Sequence, residues 1–174
     1  RGEGTQVWDA EGNCYLDFVG GYGSLNLGHN HPAVAEAVQK ALSAQPPGFS
    51  PAAVNPFAAA LAEQLATISP PGLEMTFFTN SGTEAVEAAL KLARRATGRS
   101  GLLYCHGSYH GKSLGSLSVT GSATYQKPFA PLVPGCVAVP YGDLELLERH
   151  LSEGEFAAFI VEPIQAEGGM IVPP

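Results

Sequence analysis

Hydrophobic residues along the chain follow different spacings, and each spacing predicts a different kind of element. Short apolar runs on either side of the turn cluster at residues 9–13 predict a small antiparallel unit over residues 4–18. Pro32 suits the first turn of a helix, and apolar residues continue from it at helical spacing. The face that they form carries Val34, Val38 and Leu42. A second amphipathic helix is predicted over residues 57–68, after a loop at residues 45–56.

From Met75 onward the pattern alternates between short apolar strands and helices. The predicted strands cover residues 75–79, 101–105, 137–140 and 156–161. The predicted helices cover residues 84–97 and a segment that runs from the N-cap Asp143 to about Leu151. Because strands that alternate with helices form βαβ units, the pattern indicates an α/β layer with a mainly parallel sheet.

The helix predicted over residues 84–97 has a defined inward face and a defined end. The inward positions are Val86, Leu90 and Ala93. Gly98 is expected to close the helix. On the side expected to be exposed, Glu87 precedes Lys91 by four residues, which is the favourable order for an ion pair along a helix.

Composition and charge exclude several classes of function. Hydrophobic residues make up 45% of the 174 residues and charged residues 14%, as in a globular chain rather than a disordered one. The net charge of -7 and the lack of a basic run make nucleic acid an unfavourable partner. No apolar run approaches the ~18 residues of a membrane span. Three widely separated cysteines fit neither a disulfide framework nor a metal site, so we expect buried, reduced thiols in a cytosolic protein.

The first segment with candidate chemistry runs from Thr79 to Glu84, where a predicted strand leads into a helix. The first backbone N–H groups of a helix lack partners inside it and bind phosphate well. Gly82 would let an anion approach the backbone, and the hydroxyls of Ser81 and Thr83 are possible donors. Ser81 with Glu84 three residues later is also a capping box, which needs no ligand. On these residues alone the plain cap is the favoured interpretation.

Two further segments follow predicted strands. The loop after Cys105 contains Tyr109 and His110 among glycines, and loops at the carboxyl ends of parallel strands are where α/β proteins bind ligands. Taken alone, this pair is more typical of packing or surface residues, and Lys112 is interpreted as an exposed lysine. Glu162 ends an apolar strand, where a carboxylate is costly to bury without a partner. It therefore predicts a hydrogen-bond donor or a site group nearby, the alternative being a side chain that reaches water.

Taken in order, these segments resemble the class III aminotransferases, the pyridoxal-phosphate enzymes that include the ornithine, acetylornithine, putrescine and 4-aminobutyrate aminotransferases. The resemblance spans essentially the whole chain, and the segments after residue 111 look closest to the putrescine and ornithine branch. Its motifs lie at residues 8–13, 15–17, 27–32, 80–85 with 93–94, 109–114 and 161–165.

The resemblance implies a cofactor and the residues that hold it. In such enzymes the helix start that matches Ser81, Gly82 and Thr83 grips the phosphate of pyridoxal 5'-phosphate. The aromatic side chain that matches Tyr109 stacks on the pyridine ring, which aligns the scissile bond with the conjugated system. The carboxylate that matches Glu162 supports the partner of the ring nitrogen.

The resemblance also implies two substrate-facing residues. Tyr22, in the glycine-rich stretch at residues 20–23, lines the substrate pocket in the ornithine enzymes. The carboxylate that matches Glu167 faces the substrate entry and pairs with a gating arginine farther along the chain. Ala166 departs from the family, which usually has glycine there, and the added methyl group puts the role of Glu167 in doubt.

The implied fold is the three-layer α/β large domain of the pyridoxal-phosphate transferases, called fold type I or aspartate aminotransferase-like. Residues 1–30 are expected to be an N-terminal piece of the small domain, and residues 31–174 the first part of the large domain. The family's Schiff-base lysine and the aspartate that pairs with the pyridine nitrogen match positions beyond Pro174. The chain is therefore expected to be an N-terminal fragment that holds no catalytic residue and is inactive alone.

The implied reaction moves an amino group from an amine or omega-amino acid to a 2-oxo acid, in a cytoplasmic homodimer without metal, nucleic acid or membrane. Aminomutases and decarboxylases of the same family share these motifs and stay open as alternatives. A non-catalytic binding or assembly module is the alternative from another class. Because the family's sheet continues and its active site forms between subunits, the isolated chain is expected to be poorly stable.

Overall fold

The computed structural model describes residues 1–46 and 54–173. These form two compact units, Arg1–Ala59 and Ala60–Pro174. Most of the loop predicted at residues 45–56 lies outside the described residues. The domain boundary expected after residue 30 stays a prediction.

The N-terminal unit begins with the predicted antiparallel sheet. Its strands β1 (Gly2–Glu3), β2 (Gln6–Trp8) and β3 (Cys14–Leu16) pair in sequence order. Asp9 organises the turn between β2 and β3, because its carboxylate accepts hydrogen bonds from the Asn13 amide and from the Tyr15 hydroxyl. The short turn at residues 9–13 therefore sets the register of the two strands.

Both helices predicted for the first part of the chain are present. Helix α1 (Pro32–Ser43) starts at the expected proline, and α2 (Pro56–Ile68) runs across the boundary between the two units. Neither helix buries a residue among those described, and Val38 on the apolar face of α1 is 52% exposed.

The C-terminal unit is built on a parallel sheet, as predicted. Its strands are β4 (Gly101–Cys105), β5 (Cys136–Val139) and β6 (Phe156–Phe159), in the order β5-β4-β6. Both neighbours run parallel to β4. Every residue of the central strand β4 is buried. Because all three strands point the same way, the segments that follow them emerge at one edge of the sheet.

Helices cover the two faces of this sheet. On one face, Val86 and Leu90 of α3 (Gly82–Thr97) pack with Leu102 and Tyr104 of β4. On the other face, Leu146 and Leu147 from α6 (Leu144–Ser152) belong to the cluster around Leu103 and Cys105. Successive residues of β4 thus serve opposite layers, which makes the unit a three-layer α/β/α arrangement.

The ends of the two covering helices also follow the sequence pattern. Gly98 closes α3 in a left-handed conformation with φ at 70°, and its N–H donates to the carbonyl of Arg94. Asp143 caps α6, where its carboxylate accepts from the Leu146 amide at 2.9 Å. Both predicted helix boundaries are confirmed.

The structure differs from the sequence pattern in three places. Residues 75–79 form no strand, because no described strand lies beside them to pair with their backbone, and Met75 is 97% exposed. Short helices α4 (Leu114–Ser118) and α5 (Ala123–Gln126) and a 3-10 turn (Lys127–Phe129) follow the candidate loop, where no helix was predicted. Of the three cysteines expected to be buried, Cys105 is buried, Cys136 is half-buried and Cys14 is exposed.

Two features are absent from residues 1–46 and 54–173. No helix there is long and apolar enough to cross a membrane. Over the same residues, no group of three or more histidine, cysteine, aspartate or glutamate side chains is arranged to hold a metal ion.

Candidate active site

The start of α3 has the predicted N-terminal cap. Ser81 is extended, and its side-chain oxygen accepts from the Glu84 amide at 3.4 Å. The Glu84 carboxylate turns back to accept from the Asn80 amide at 2.7 Å. In a usual capping box the glutamate accepts from the amide of the N-cap residue, whereas here Glu84 accepts from the residue before it.

The cap leaves the first turn of α3 open to a ligand. A Cβ atom built on Gly82 would meet no atom within 4 Å other than those of its chain neighbours and of its own helix backbone. Among residues 1–46 and 54–173, the amides of Gly82 and Thr83 donate to no backbone carbonyl outside α3. These two N–H groups at the positive end of a 16-residue helix fit a phosphate group.

The Thr83 side chain is bound by the segment that follows β4. Its hydroxyl lies 2.7 Å from the Ser113 hydroxyl and 2.6 Å from that of Ser116, and it accepts from the Ser113 amide at 3.2 Å. The Ser113 hydroxyl donates to Glu87, so the single Thr83 proton is shared with these neighbours. Thr83 can therefore offer a phosphate its backbone amide, while its side chain holds the loop.

Glu87 binds the same loop one turn farther along α3. Its carboxylate accepts from the Ser113 hydroxyl at 2.6 Å and from the amides of Gly115 at 2.7 Å and Ser116 at 3.1 Å. Burial raises the pKa of Glu87, but these hydrogen bonds and the charge of Lys91 outweigh it and leave the pKa below its ordinary value. The expected exposed Glu87–Lys91 pair is thus replaced by an anchor for the start of α4.

The loop that follows β4 is folded tightly against the rest of the unit. Gly107 and Ser108 pair through their backbones with Gly121, and Ser108 is buried. Gly111 lies so close to Thr83 that an added Cβ atom would clash, and its φ of 129° is one that other residues rarely adopt. These contacts fix the loop on both sides of Tyr109 and bring Gly111 against Thr83 of α3.

His110 is the partly buried titratable group of this loop. Its backbone N–H donates to the Thr120 hydroxyl at 3.0 Å. Its Nε2 atom is buried without a hydrogen-bond partner among the described residues. Burial lowers the pKa of His110 below its ordinary value, against the opposing charge of Glu162. Burial therefore favours the neutral form of the ring.

Glu162 has the donor that its position predicted. Its carboxylate accepts from the Tyr109 amide at 3.1 Å, which ties the segment after β6 to the loop after β4. The hydroxyl of Tyr141, which follows β5, donates to the carbonyls of Glu162 and Pro163, both at 2.9 Å. Residues following all three strands therefore meet at one edge of the sheet.

Gln165 fixes the segment that carries Glu167. It is 1% exposed, and its side-chain amide donates to the His106 carbonyl at 2.9 Å. Its backbone pairs with Ile171, which closes a tight loop over residues 165–171. Ala166 lies in this loop without a positive φ, so the structure accommodates its methyl group.

Glu167 is exposed, and its carboxylate accepts a 2.6 Å hydrogen bond from the Tyr125 hydroxyl. Tyr109 is 37% exposed and meets the Tyr125 ring edge to face. The ammonium group of Lys112, which is exposed as expected, lies 4.9 Å from the Tyr125 ring centroid.

The structure places most of the predicted site residues in one unit. Those in the C-terminal unit are Ser81, Gly82, Thr83, Tyr109, Glu162 and Glu167. Tyr22 belongs to the N-terminal unit, where it is 95% exposed with a positive φ of 55°. Sequence reasoning missed Glu87, Tyr125 and Gln165. The Gln165 position was visible in the motif at residues 161–165, whereas the contacts of Glu87 and Tyr125 depend on helices that the pattern did not predict.

Comparison with known proteins identifies the family. The family model described as Aminotransferase class-III matches residues 1–174. Aminotransferase PigE from Serratia sp. (strain ATCC 39006) is 46% identical over an alignment of 175 residues, which is all of this chain and 20% of that protein. The chain thus spans about a fifth of the length of this relative.

Solved structures agree with this assignment. An (S)-enantioselective omega-transaminase from Thermomicrobium roseum has a TM-score of 0.89 at 34% identity, covering 100% of this chain and 45% of its own. An ornithine aminotransferase from Toxoplasma gondii, whose active site holds pyridoxal phosphate at partial occupancy, has a TM-score of 0.86 at 32% identity, covering 99% and 42%. The α/β fold predicted from the sequence is therefore confirmed as part of a transaminase fold, and the chain belongs to the class III aminotransferase family.

Proposed function

We propose that this chain supplies the phosphate-binding and ring-covering part of a pyridoxal-phosphate-dependent aminotransferase. The full-length protein would transfer an amino group from an amine or omega-amino acid of the diamine or ornithine type to a 2-oxo acid. The observation that carries the proposal is the convergence of three segments at the sheet edge, through Thr83 to Ser113 and through Tyr109 to Glu162.

The cofactor phosphate would lie on the first turn of α3. The amides of Gly82 and Thr83 point out of the helix start, and the open space at Gly82 admits a phosphate oxygen. The Ser81 hydroxyl accepts one hydrogen bond from the Glu84 amide and keeps its own proton to donate. The cap and the phosphate site are therefore compatible, since the cap uses an acceptor position of Ser81 and the phosphate needs donors.

The Tyr109 ring would cover the face of the cofactor. Its backbone is held by Glu162, and the neighbouring loop is held by Thr83 and Glu87. A ring fixed in this way restricts the orientation of a planar cofactor, which is the contribution that stacking makes to reaction alignment. When bound, pyridoxal phosphate supplies the electron sink for bond cleavage at the substrate carbon.

Glu162 would act behind the cofactor and Glu167 at the substrate side. Glu162 orients Tyr109 through its amide, and the resemblance places it next to the partner of the ring nitrogen. Glu167 offers an exposed negative charge, which suits a substrate that carries a second amino group. Tyr22 is proposed as a further wall of the substrate pocket. The reactive lysine, the homodimer and the cytoplasmic location are carried over from the family.

Substitution at the helix start tests the phosphate site. Gly82→Asp in the full-length protein places a carboxylate where the phosphate would bind, while an acidic residue in the first turn suits the helix itself. We expect the dissociation constant for pyridoxal phosphate, measured by absorbance titration, to rise about 30-fold or more. Ala89→Asp adds the same charge at an exposed position of the same helix and serves as the control.

Two results would count against the proposal. If Gly82→Asp and Ala89→Asp bind the cofactor equally well, the phosphate lies elsewhere. If the wild-type full-length protein retains no pyridoxal phosphate, the chain is part of a non-catalytic module of the same family.

A further inference from the structure

Tyr125 lies between two residues of the proposed site. Its ring contacts that of Tyr109, with centroids 6.0 Å apart and planes inclined at 75°, a favourable edge-to-face arrangement. Its hydroxyl donates a 2.6 Å hydrogen bond to the carboxylate of Glu167. The ring and the hydroxyl group of Tyr125 therefore contact different residues with different proposed tasks.

The backbone of Tyr125 is anchored to the same framework as Tyr109. Tyr125 lies on α5, whose next residue, Gln126, donates from its side-chain amide to the carbonyl of Leu117 on α4 at 3.1 Å. The start of α4 is held in turn by Glu87, which also holds the end of the Tyr109 loop at Ser113. Tyr125 and Tyr109 are thus positioned by one connected set of contacts.

We propose that Tyr125 is a positioning residue of this site, whose ring orients Tyr109 and whose hydroxyl holds the Glu167 carboxylate. The proposal rests on the function proposed above for Tyr109 and Glu167. It links the cofactor-covering ring to the charge at the substrate side through one side chain.

The neighbouring charges agree with this role. The Lys112 ammonium group lies 4.9 Å from the centroid of Tyr125 and 5.9 Å from that of Tyr109, within the range of cation–π attraction. Tyr125 thus contacts a cation through its ring and an anion through its hydroxyl. Loss of the ring would release Tyr109, Glu167 and Lys112 together, whereas loss of the hydroxyl alone would release Glu167.

Two substitutions separate the ring from the hydroxyl in the full-length protein. Tyr125→Leu removes both, and we expect the dissociation constant for pyridoxal phosphate to rise roughly three- to tenfold, the range of an aromatic pair. The visible circular dichroism of the bound cofactor should change as well, because the covering ring loses its orientation. Tyr125→Phe keeps the ring, so both quantities should stay within about twofold of wild type.

Crystal structures of the cofactor-loaded variants test the hydroxyl. In Tyr125→Phe the Glu167 carboxylate should leave its wild-type position while the Tyr109 ring stays. In Tyr125→Leu both should move. Tyr15→Phe is the matched control, since it removes a hydrogen bond from a tyrosine to Asp9 in the N-terminal unit.

The possible outcomes distinguish this proposal from the one on which it rests. If wild-type protein fails to bind pyridoxal phosphate, the proposed function fails and this proposal falls with it. If wild-type protein binds and Tyr125→Leu matches it in affinity and circular dichroism, the ring has no positioning role. If Tyr125→Phe weakens binding as much as Tyr125→Leu, or leaves Glu167 in place, the division between ring and hydroxyl is wrong.

Discussion

Helices α1 and α3 share a sequence pattern but occupy different environments. Both have an apolar stripe, and both carry a glutamate four residues before a lysine. In α1 the stripe is exposed and Glu36 pairs with Lys40 at 2.6 Å on the surface. In α3 the stripe packs on the sheet through Leu90, and Glu87 holds the site loop. The pattern thus predicts the helix, whereas the neighbouring segments decide what each face does.

The largest expected difference between the two helices is in their apolar stripes. Leu90→Ala removes a side chain that is 6% exposed, and we expect a loss of about 2–5 kcal/mol in the free energy of unfolding. Val38→Ala in the 174-residue chain should change it by about 0.5 kcal/mol or less, because half of the side chain already faces water. Urea denaturation of both variants measures the difference. Equal losses would show that α1 is buried in solution.

Substitution of Glu87 and of Glu36 should also change the free energy of unfolding by different amounts, although the difference is smaller than for the apolar stripes. Glu87→Ala leaves the Ser113 hydroxyl and the Gly115 and Ser116 amides without their acceptor, which should cost about 1–3 kcal/mol. Glu36→Ala removes an exposed ion pair between neighbouring turns, worth about 0.3–0.5 kcal/mol. Thermal unfolding of the full-length protein compares them. If the Glu36 variant is as unstable as the Glu87 variant, Glu87 is not a stronger anchor than the exposed Glu36–Lys40 ion pair.

The stability that Glu87 contributes should also depend on pH. Because the folded-state pKa of Glu87 is lowered, its contribution to stability is present above the ordinary value of 4.5 and lost as the pH falls through the folded pKa. Glu87→Gln should therefore lose less stability than wild type between pH 5 and the acid range, measured by urea denaturation at a series of pH values. Asp17→Asn should flatten the profile in the same way, because hydrogen bonds from Gly20 and His29 lower the pKa of Asp17 in the N-terminal unit. Identical pH profiles for wild type and Glu87→Gln would contradict the lowered pKa.

The smallest effect on stability is expected at His110, whose contribution, like that of Glu87, is lost as the pH falls. Burial lowers the pKa of His110, so its contribution is complete above the ordinary value of 6.5 and falls as the pH drops through the folded pKa. His110→Gln should flatten the dependence of stability on pH in that window. Unfolding measured at pH 5 and pH 7 checks this, and a steeper dependence in the variant would contradict it.

The sequence predicted elements wherever local pattern and local contacts agree. The central strand β4 coincides with the predicted residues 101–105, and Gly98 and Asp143 end and begin helices as expected. Each of these depends on neighbours close in sequence. The strand expected at residues 75–79 failed because a strand also needs a partner, and none of the described strands pairs with it.

The candidate site was predictable as a list of residues but not as a set of contacts. The resemblance named Ser81, Gly82, Thr83, Tyr109 and Glu162, and the structure places them in one unit. Their roles as ligands stay predictions. The Thr83 hydroxyl is directed to Ser113, 30 residues away, and nothing in local spacing indicates such a contact. Glu87 was misassigned for the same reason, since its partners lie on a helix of five small and apolar residues.

A crystal structure of the full-length protein with pyridoxal phosphate would test the site most directly. We expect the phosphate to accept hydrogen bonds from the amides of Gly82 and Thr83, and the Tyr109 ring to lie against the face of the pyridine ring. A phosphate bound away from the start of α3, with Tyr109 turned from the cofactor, would contradict the proposed site.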